Sequence, residues 1–201
     1  MRNLYLTFIF LFFSSQTYAE LSGSIGIGSF KLDIDSSITS FEEREKNLNL
    51  SVDKKIYCHH VCLFLGLGID FLDEINQNFL DQGGQGQLKN FTVDTKAINL
   101  GMKISVPLSR EISIFASYGL SYWESDLTSS GQPRTIQNTD FKNTFDGTDD
   151  FIGFGVDYSP NNHKIGIHYK NLEVEIVEGG FNSKFDLSDI SLVWSFPLAN
   201  F

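Results

Sequence analysis

The chain predicts an all-β fold: an eight-stranded, antiparallel, up-and-down transmembrane β-barrel. Three observations carry this. Apolar residues recur with period two in eight separate segments, the signature of strands with one apolar face. The polar connections between them alternate short and long, as in barrels with short turns on one rim and long loops on the other. Aromatic residues cap the apolar stripes at Phe71, Tyr122, Tyr158, Trp194 and Phe196, where amphipathic rings favour the boundary between headgroups and hydrocarbon.

The first stripe begins with Ile25 and Ile27, and the second holds Leu48, Leu50 and Val52. The third runs Leu63, Leu65, Leu67, Ile69 and Phe71; the fourth, Ile98, Leu100, Met102, Ile104 and Val106. The fifth is Ile112, Ile114, Ala116, Tyr118, Leu120 and Tyr122. The sixth is Ile152, Phe154, Val156 and Tyr158, and the seventh Ile165, Ile167 and Tyr169. The eighth closes the chain with Ile190, Leu192, Trp194 and Phe196. Between these positions stand Gly, Ser, Asn and charge, for example Gly66, Gly68, Asp70, Asn99, Gly101 and Lys103. A soluble barrel with an apolar interior would share the period. The polar partner face suits a filled, hydrogen-bonded interior better than an apolar ligand pocket.

The expected short turns lie near Cys58–Cys62, Pro107–Glu111 and Ser159–His163, and a modest connection at Glu178–Lys184. The expected long loops are Asp35–Lys46, Leu72–Asn90 and Glu124–Asp150. Three runs fall out of phase with their stripes: Phe30, Leu32 and Ile34; Phe91 and Val93; Leu172, Val174 and Ile176. All three lie toward the long-loop side, which predicts strands continuing beyond the bilayer with bulges that re-aim side chains.

Residues 1–19 read as a signal peptide, with Arg2, the apolar run Leu4–Phe13 and the small-residue pattern ending at Ala19. The run is about half the ~20 residues a spanning helix needs. The barrel domain is then 20–201. Without residues 1–19 it carries 14 basic and 25 acidic residues, a net charge of −11. That balance excludes a nucleic-acid partner, which needs a basic face, and disfavours an anionic cytoplasmic leaflet.

Cys58 and Cys62 are the only cysteines. In an exported chain they predict a disulfide across a tight hairpin turn. A metal site using them with His59 and His60 would crowd four donors into five residues, unlike known zinc spacings. No metal and no cofactor is expected.

The arrangement resembles the small eight-stranded outer-membrane barrels, the class that includes the transmembrane domain of outer membrane protein A and its adhesin-like relatives. The likeness covers nearly all of residues 20–201. It implies an outer-membrane location in a Gram-negative bacterium, with contact to lipid and lipopolysaccharide. It also implies that Leu192, Trp194 and Phe196 form the C-terminal signal read by the barrel-assembly machinery. Pro197 and the out-of-phase Phe201 depart from that pattern: either the signal ends at Phe196 with Pro197–Phe201 as a tail, the reading preferred here, or Phe201 is read instead.

Relatives of this size include enzymes acting on lipid A. Lipid A deacylases carry a His-x-Ser-Asn stretch, where this chain reads His168-Tyr169-Lys170-Asn171. A lysine cannot replace a His-activated hydroxyl, and by phase His168 and Lys170 face the interior. Palmitoyltransferases of the class precede the barrel with an amphipathic helix, and none precedes Leu21. No catalytic residue is therefore assigned. An open pore is disfavoured too, because eight strands leave room only for side chains. Asp70, Lys103, Asp157, His168 and Lys170 are instead expected to pair inside, since buried charges must.

The remaining reading is a surface protein with a structural, adhesion or host-interaction role, meeting a host or cell-surface ligand through its long loops. In Glu124–Asp150, Phe141, Phe145 and Asp146 are the candidate contacts. An outer-membrane enzyme modifying lipid A is the alternative.

Overall fold

The computed structural model describes residues 20–36, 40–80, 88–131, 141–160, 163–178 and 181–200. The signal peptide read at residues 1–19 lies outside them, as does Phe201. The described residues form β1 (Glu20–Ser36), β2 (Ser40–Cys58), β3 (Cys62–Leu80), β4 (Leu88–Pro107), β5 (Ile112–Gly131), β6 (Phe141–Tyr158), β7 (Lys164–Glu178) and β8 (Phe181–Asn200). Each strand pairs antiparallel with its sequence neighbours, and β1 pairs with β8 to close the barrel.

The ladder can be followed from Val156 through Ile167, Leu192, Ile27, Leu48, Phe71, Lys96 and Glu124. It returns to β6 at Asp146, ten residues from its start (156 to 146). For eight strands that shear tilts each strand by about 40°, so each residue climbs about 2.5 Å.

Along every strand the stripe residues point outward: Ile27, Ile167 and Leu192 are more than three-fifths exposed. An apolar side chain left so exposed needs hydrocarbon around it. Once the tilt is allowed for, the uppermost apolar residues form one closed ring. They are Ile27, Leu48, Phe71, Ile98, Tyr122, Ile152, Tyr169 and Ile190. The next positions on the same outer face are Ser29, Lys46, Asp73, Lys96, Glu124, Asp150, Asn171 and Ser188. The bilayer therefore ends at that boundary.

The strands run 15 to 20 residues, against the 9–11 or so that cross a bilayer. Most of what the sequence reads as long loops is thus wall: β3 reaches Leu80, β4 starts at Leu88, β5 reaches Gly131 and β6 starts at Phe141. The alternation persists through these stretches but its sense inverts, because water replaces lipid outside. Phe30, Leu172 and Val174 point inward at 3–4% exposure, while Ser29 and Glu173 face out. No bulge is needed. The ladders through Phe30, and through Leu172 and Val174 to β8, run without a register shift. The β4–β5 ladder is likewise unbroken past Val93. The bulge on that side lies in β3, between Leu72 and Ile75.

Pro197 does not start a tail. β8 continues to Asn200, pairing with Glu20, and a register shift at Leu21/Ser22 accommodates it. Proline lacks the ladder N–H and is tolerated beside such a bulge.

Candidate functional site

The interior below the boundary is filled by ion pairs in two layers. In the lower layer Lys103 pairs with Asp53, and His168 Nε2 lies 2.8 Å from Asp157 Oδ1. In the upper layer Lys170 pairs with Asp70. The Asp70 carboxylate also accepts from Asn49 Nδ2 at 3.1 Å and from Asn99 Nδ2 at 2.7 Å. Asn49 Nδ2 reaches Asp189 at 3.2 Å, and Asp189 accepts again from Ser191 Oγ at 2.8 Å. Of the five residues expected to pair among themselves, Asp70 pairs with Lys170 and Asp157 with His168, while Lys103 pairs with Asp53. Asp53 and Asp189, which take part in these contacts, were not singled out by the sequence.

A cavity of about 160 Å³ separates the layers, lined by Asp53, Asp70, Asn99, Lys103, His168 and Lys170 among others. His168 and Lys170 thus face the interior, paired with Asp157 and Asp70.

Above the ion pairs the interior turns apolar. Ala97, Trp123, Phe151, Leu172 and Val174 form one buried cluster, with Phe145 and Leu187 packed on it. Phe30, with Leu72, Val93 and Leu187, forms a second. Trp123 is 4% exposed and donates its indole N–H to Asp149 Oδ2 at 2.6 Å. Gly147 faces it across the ladder. A Cβ there would stand 2.6 Å from the Trp123 ring, so only glycine leaves the indole its place. This plug fills the interior just above the ion pairs.

The candidate contact residues change meaning accordingly. Phe145 is not a loop residue awaiting a partner: it lies on β6, faces inward and packs against the plug. Asp146 is on the same strand, exposed on the outer face, accepting from Tyr122 Oη at 3.4 Å. Phe141 pairs with Ser129 at the start of β6, and its side chain lies outside the described residues.

On the other rim Cys58 and Cys62 form a disulfide that closes the β2–β3 hairpin. His59 and His60 lie exposed in that turn, their ring centroids 4.2 Å apart. Among the described residues no group of three metal-ligating side chains comes together. Leu192 and Trp194 point outward at 62% and 47% exposure, and Trp194 packs against Phe196 with centroids 5.1 Å apart.

The family model for the OmpA-like transmembrane domain matches residues 43–186. No curated protein matches the chain. Among solved structures it is similar to Ail, the attachment invasion locus protein of Yersinia pestis, in complex with the heparin analogue sucrose octasulfate. The TM-score is 0.50 at 12% identity, covering 88% of this chain and 99% of that one. Ail without that ligand gives the same values. Neisserial surface protein A aligns with a TM-score of 0.49 at 7% identity, covering 87% of this chain and 96% of that one.

Proposed function

The chain belongs to the OmpA-like transmembrane domain family, and from that premise we propose that it is a non-catalytic surface protein of the outer membrane. Its extracellular wall engages a host or cell-surface ligand. One observation carries the reading: the wall continues well past the apolar ring, as much as eleven residues above Ile152 to Phe141 on β6, or about 27 Å at this tilt. A barrel serving only to fill the membrane would have no use for that ordered height. The likeness to a protein named for attachment and invasion agrees with it. Lipopolysaccharide is the neighbour of the outer ring, and the assembly machinery reads Leu192, Trp194 and Phe196 at insertion.

The test is attachment of a non-adherent Gram-negative strain to host cells and immobilised matrix, with and without this chain. Increased attachment supports the reading. Unchanged attachment with an altered lipid A mass spectrum would instead favour the enzymatic alternative. A sulfated glycan, the ligand class of the Ail complex, belongs among the surfaces tried.

A further inference from the structure

Above the bilayer, strand pairing among the described residues does not close the wall. The β6–β7 ladder stops at Phe151 and Leu172, yet β6 extends back to Phe141 and β7 on to Glu178. Over this height β6 is held only by β5, and β7 only by β8. The same happens between β2 and β3, whose ladder ends at Asn47 and Leu72. The extracellular wall is therefore two four-stranded sheets, β7–β8–β1–β2 and β3–β4–β5–β6, standing on one closed barrel.

Each seam bares the N–H and C=O groups of two strand edges, a template for further pairing unless a bulge, proline or lysine blunts it. The two seams differ in that respect. β3 is bulged between Leu72 and Ile75, at the start of its free edge. The β6 edge, Phe141–Asp150, has no proline and an unbroken ladder to β5. Its one lysine, Lys142, leans toward β5, 3.4 Å from Asp126.

Apart from Lys142, the described charge beside this edge is negative. Asp146 and Asp150 are exposed on its outer face, and Glu173 is exposed on the facing end of β7. Asp149 lies on the inner side, bound to Trp123. Tyrosine hydroxyls donate to Asp150 and Asp146 (2.5 Å from Tyr118, 3.4 Å from Tyr122), which holds both carboxylates in place. On the inward face the half-buried Phe145 offers an apolar seat.

We propose that the β6–β7 seam accepts an extended cationic polypeptide segment as an added strand on β6. Its backbone pairs with Phe141–Asp150. Lysines or arginines at alternate positions meet Asp146, Asp150 and Glu173, and the intervening apolar residues lie over Phe145. Main-chain pairing supplies affinity and alternate side chains supply specificity, as in other strand additions. This rests on reading the extracellular wall as the interaction surface, and it names the segment and the partner chemistry.

The experiment uses the full barrel in phospholipid nanodiscs and a labelled (Lys-Val)4 peptide. The expected result is saturable binding, with amide-exchange protection confined to residues 141–150. Both (Glu-Val)4 and a (Lys-Val)4 peptide N-methylated at alternate amides should bind at least about tenfold more weakly, the first through charge and the second through lost pairing. The D146N/D150N/E173Q triple variant, checked for its heat-modifiable gel mobility, should lose about tenfold in affinity. Equal binding of the N-methylated peptide, equal binding to the triple variant, or no binding would each overturn the proposal. Cell attachment that survives in the triple variant while peptide binding is lost or absent would sink the seam alone. Absence of attachment by the wild-type chain would sink the broader reading.

Discussion

Substitution of Met102 by arginine should be among the most costly changes on the outer wall. Met102 is 53% exposed at the middle of the β4 stripe, with Ile98 and Val106 four residues to either side. At a climb of about 2.5 Å per residue, those two lie about 10 Å above and below it, near the edges of the hydrocarbon. Arginine on a barrel's lipid face costs about 2–4 kcal/mol at the midplane and falls to about 0–1 kcal/mol near the interfaces. Met102→Arg should therefore destabilise by about 3 kcal/mol relative to Met102→Ala, while Ile98→Arg and Val106→Arg each cost about 1 kcal/mol or less. Denaturant unfolding in phospholipid vesicles, followed by tryptophan fluorescence, reads these differences. Three equal costs would refute the placement of the bilayer, and so would a Met102→Arg variant as stable as its alanine counterpart.

Three further outcomes follow from the interior and the outer wall. Trp123→Ala removes the largest plug side chain and strands the Asp149 carboxylate; it should cost about 3–5 kcal/mol in the same assay, and a loss below 1 kcal/mol would deny the plug its role. Lys170→Met leaves Asp70 buried with only amide donors and should cost about 3 kcal/mol, whereas Lys170→Met combined with Asp70→Leu should recover most of it. Failure of the double variant to recover would mean the pair does not act as a unit. The Thr144 hydroxyl, 2.6 Å from Asp126, holds that carboxyl below its usual range, helped by Lys142. A depressed folded pKa means that the contribution is present above the unfolded value and lost as pH falls through the folded one. Thr144→Val should therefore shift the carboxyl titration of Asp126, followed by carbon NMR, to higher pH; an unchanged midpoint would contradict the assignment.

The barrel was legible because lipid imposes a strict rule on one face of every strand, and Leu63–Phe71 or Ile112–Tyr122 display it without interruption. The extracellular wall was not legible for the same reason. Once water replaces lipid outside, Phe30, Leu172 and Val174 move to the other phase, and a period-two reading tuned to one face sees a break there. In Glu124–Asp150 the polar Ser, Thr and Asp residues imitate a loop, although 124–131 and 141–150 belong to β5 and β6, with Glu124, Thr144, Asp146 and Asp150 on their wet face. Phe145 looked like a contact because its burial depends on Trp123 and Leu172, which lie on two other strands. Asp53 escaped notice because it sits between Val52 and two lysines, so its partner Lys103 appears only when β2, β3 and β4 are laid side by side. The expected interior pairing of Asp70, Asp157, His168 and Lys170 needed only phase and the cost of burying charge, and it holds.

The inversion of the wall can be tested with the two tryptophans the chain already contains. Trp194 faces outward within the apolar band, and Trp123 faces inward above it. In vesicles of lipids brominated along the acyl chains, a Trp123→Phe variant should report strong quenching of Trp194. A Trp194→Phe variant should report almost none of Trp123. Quenching of Trp123 as strong as that of Trp194, or a Trp194 indifferent to bromine, would contradict the account.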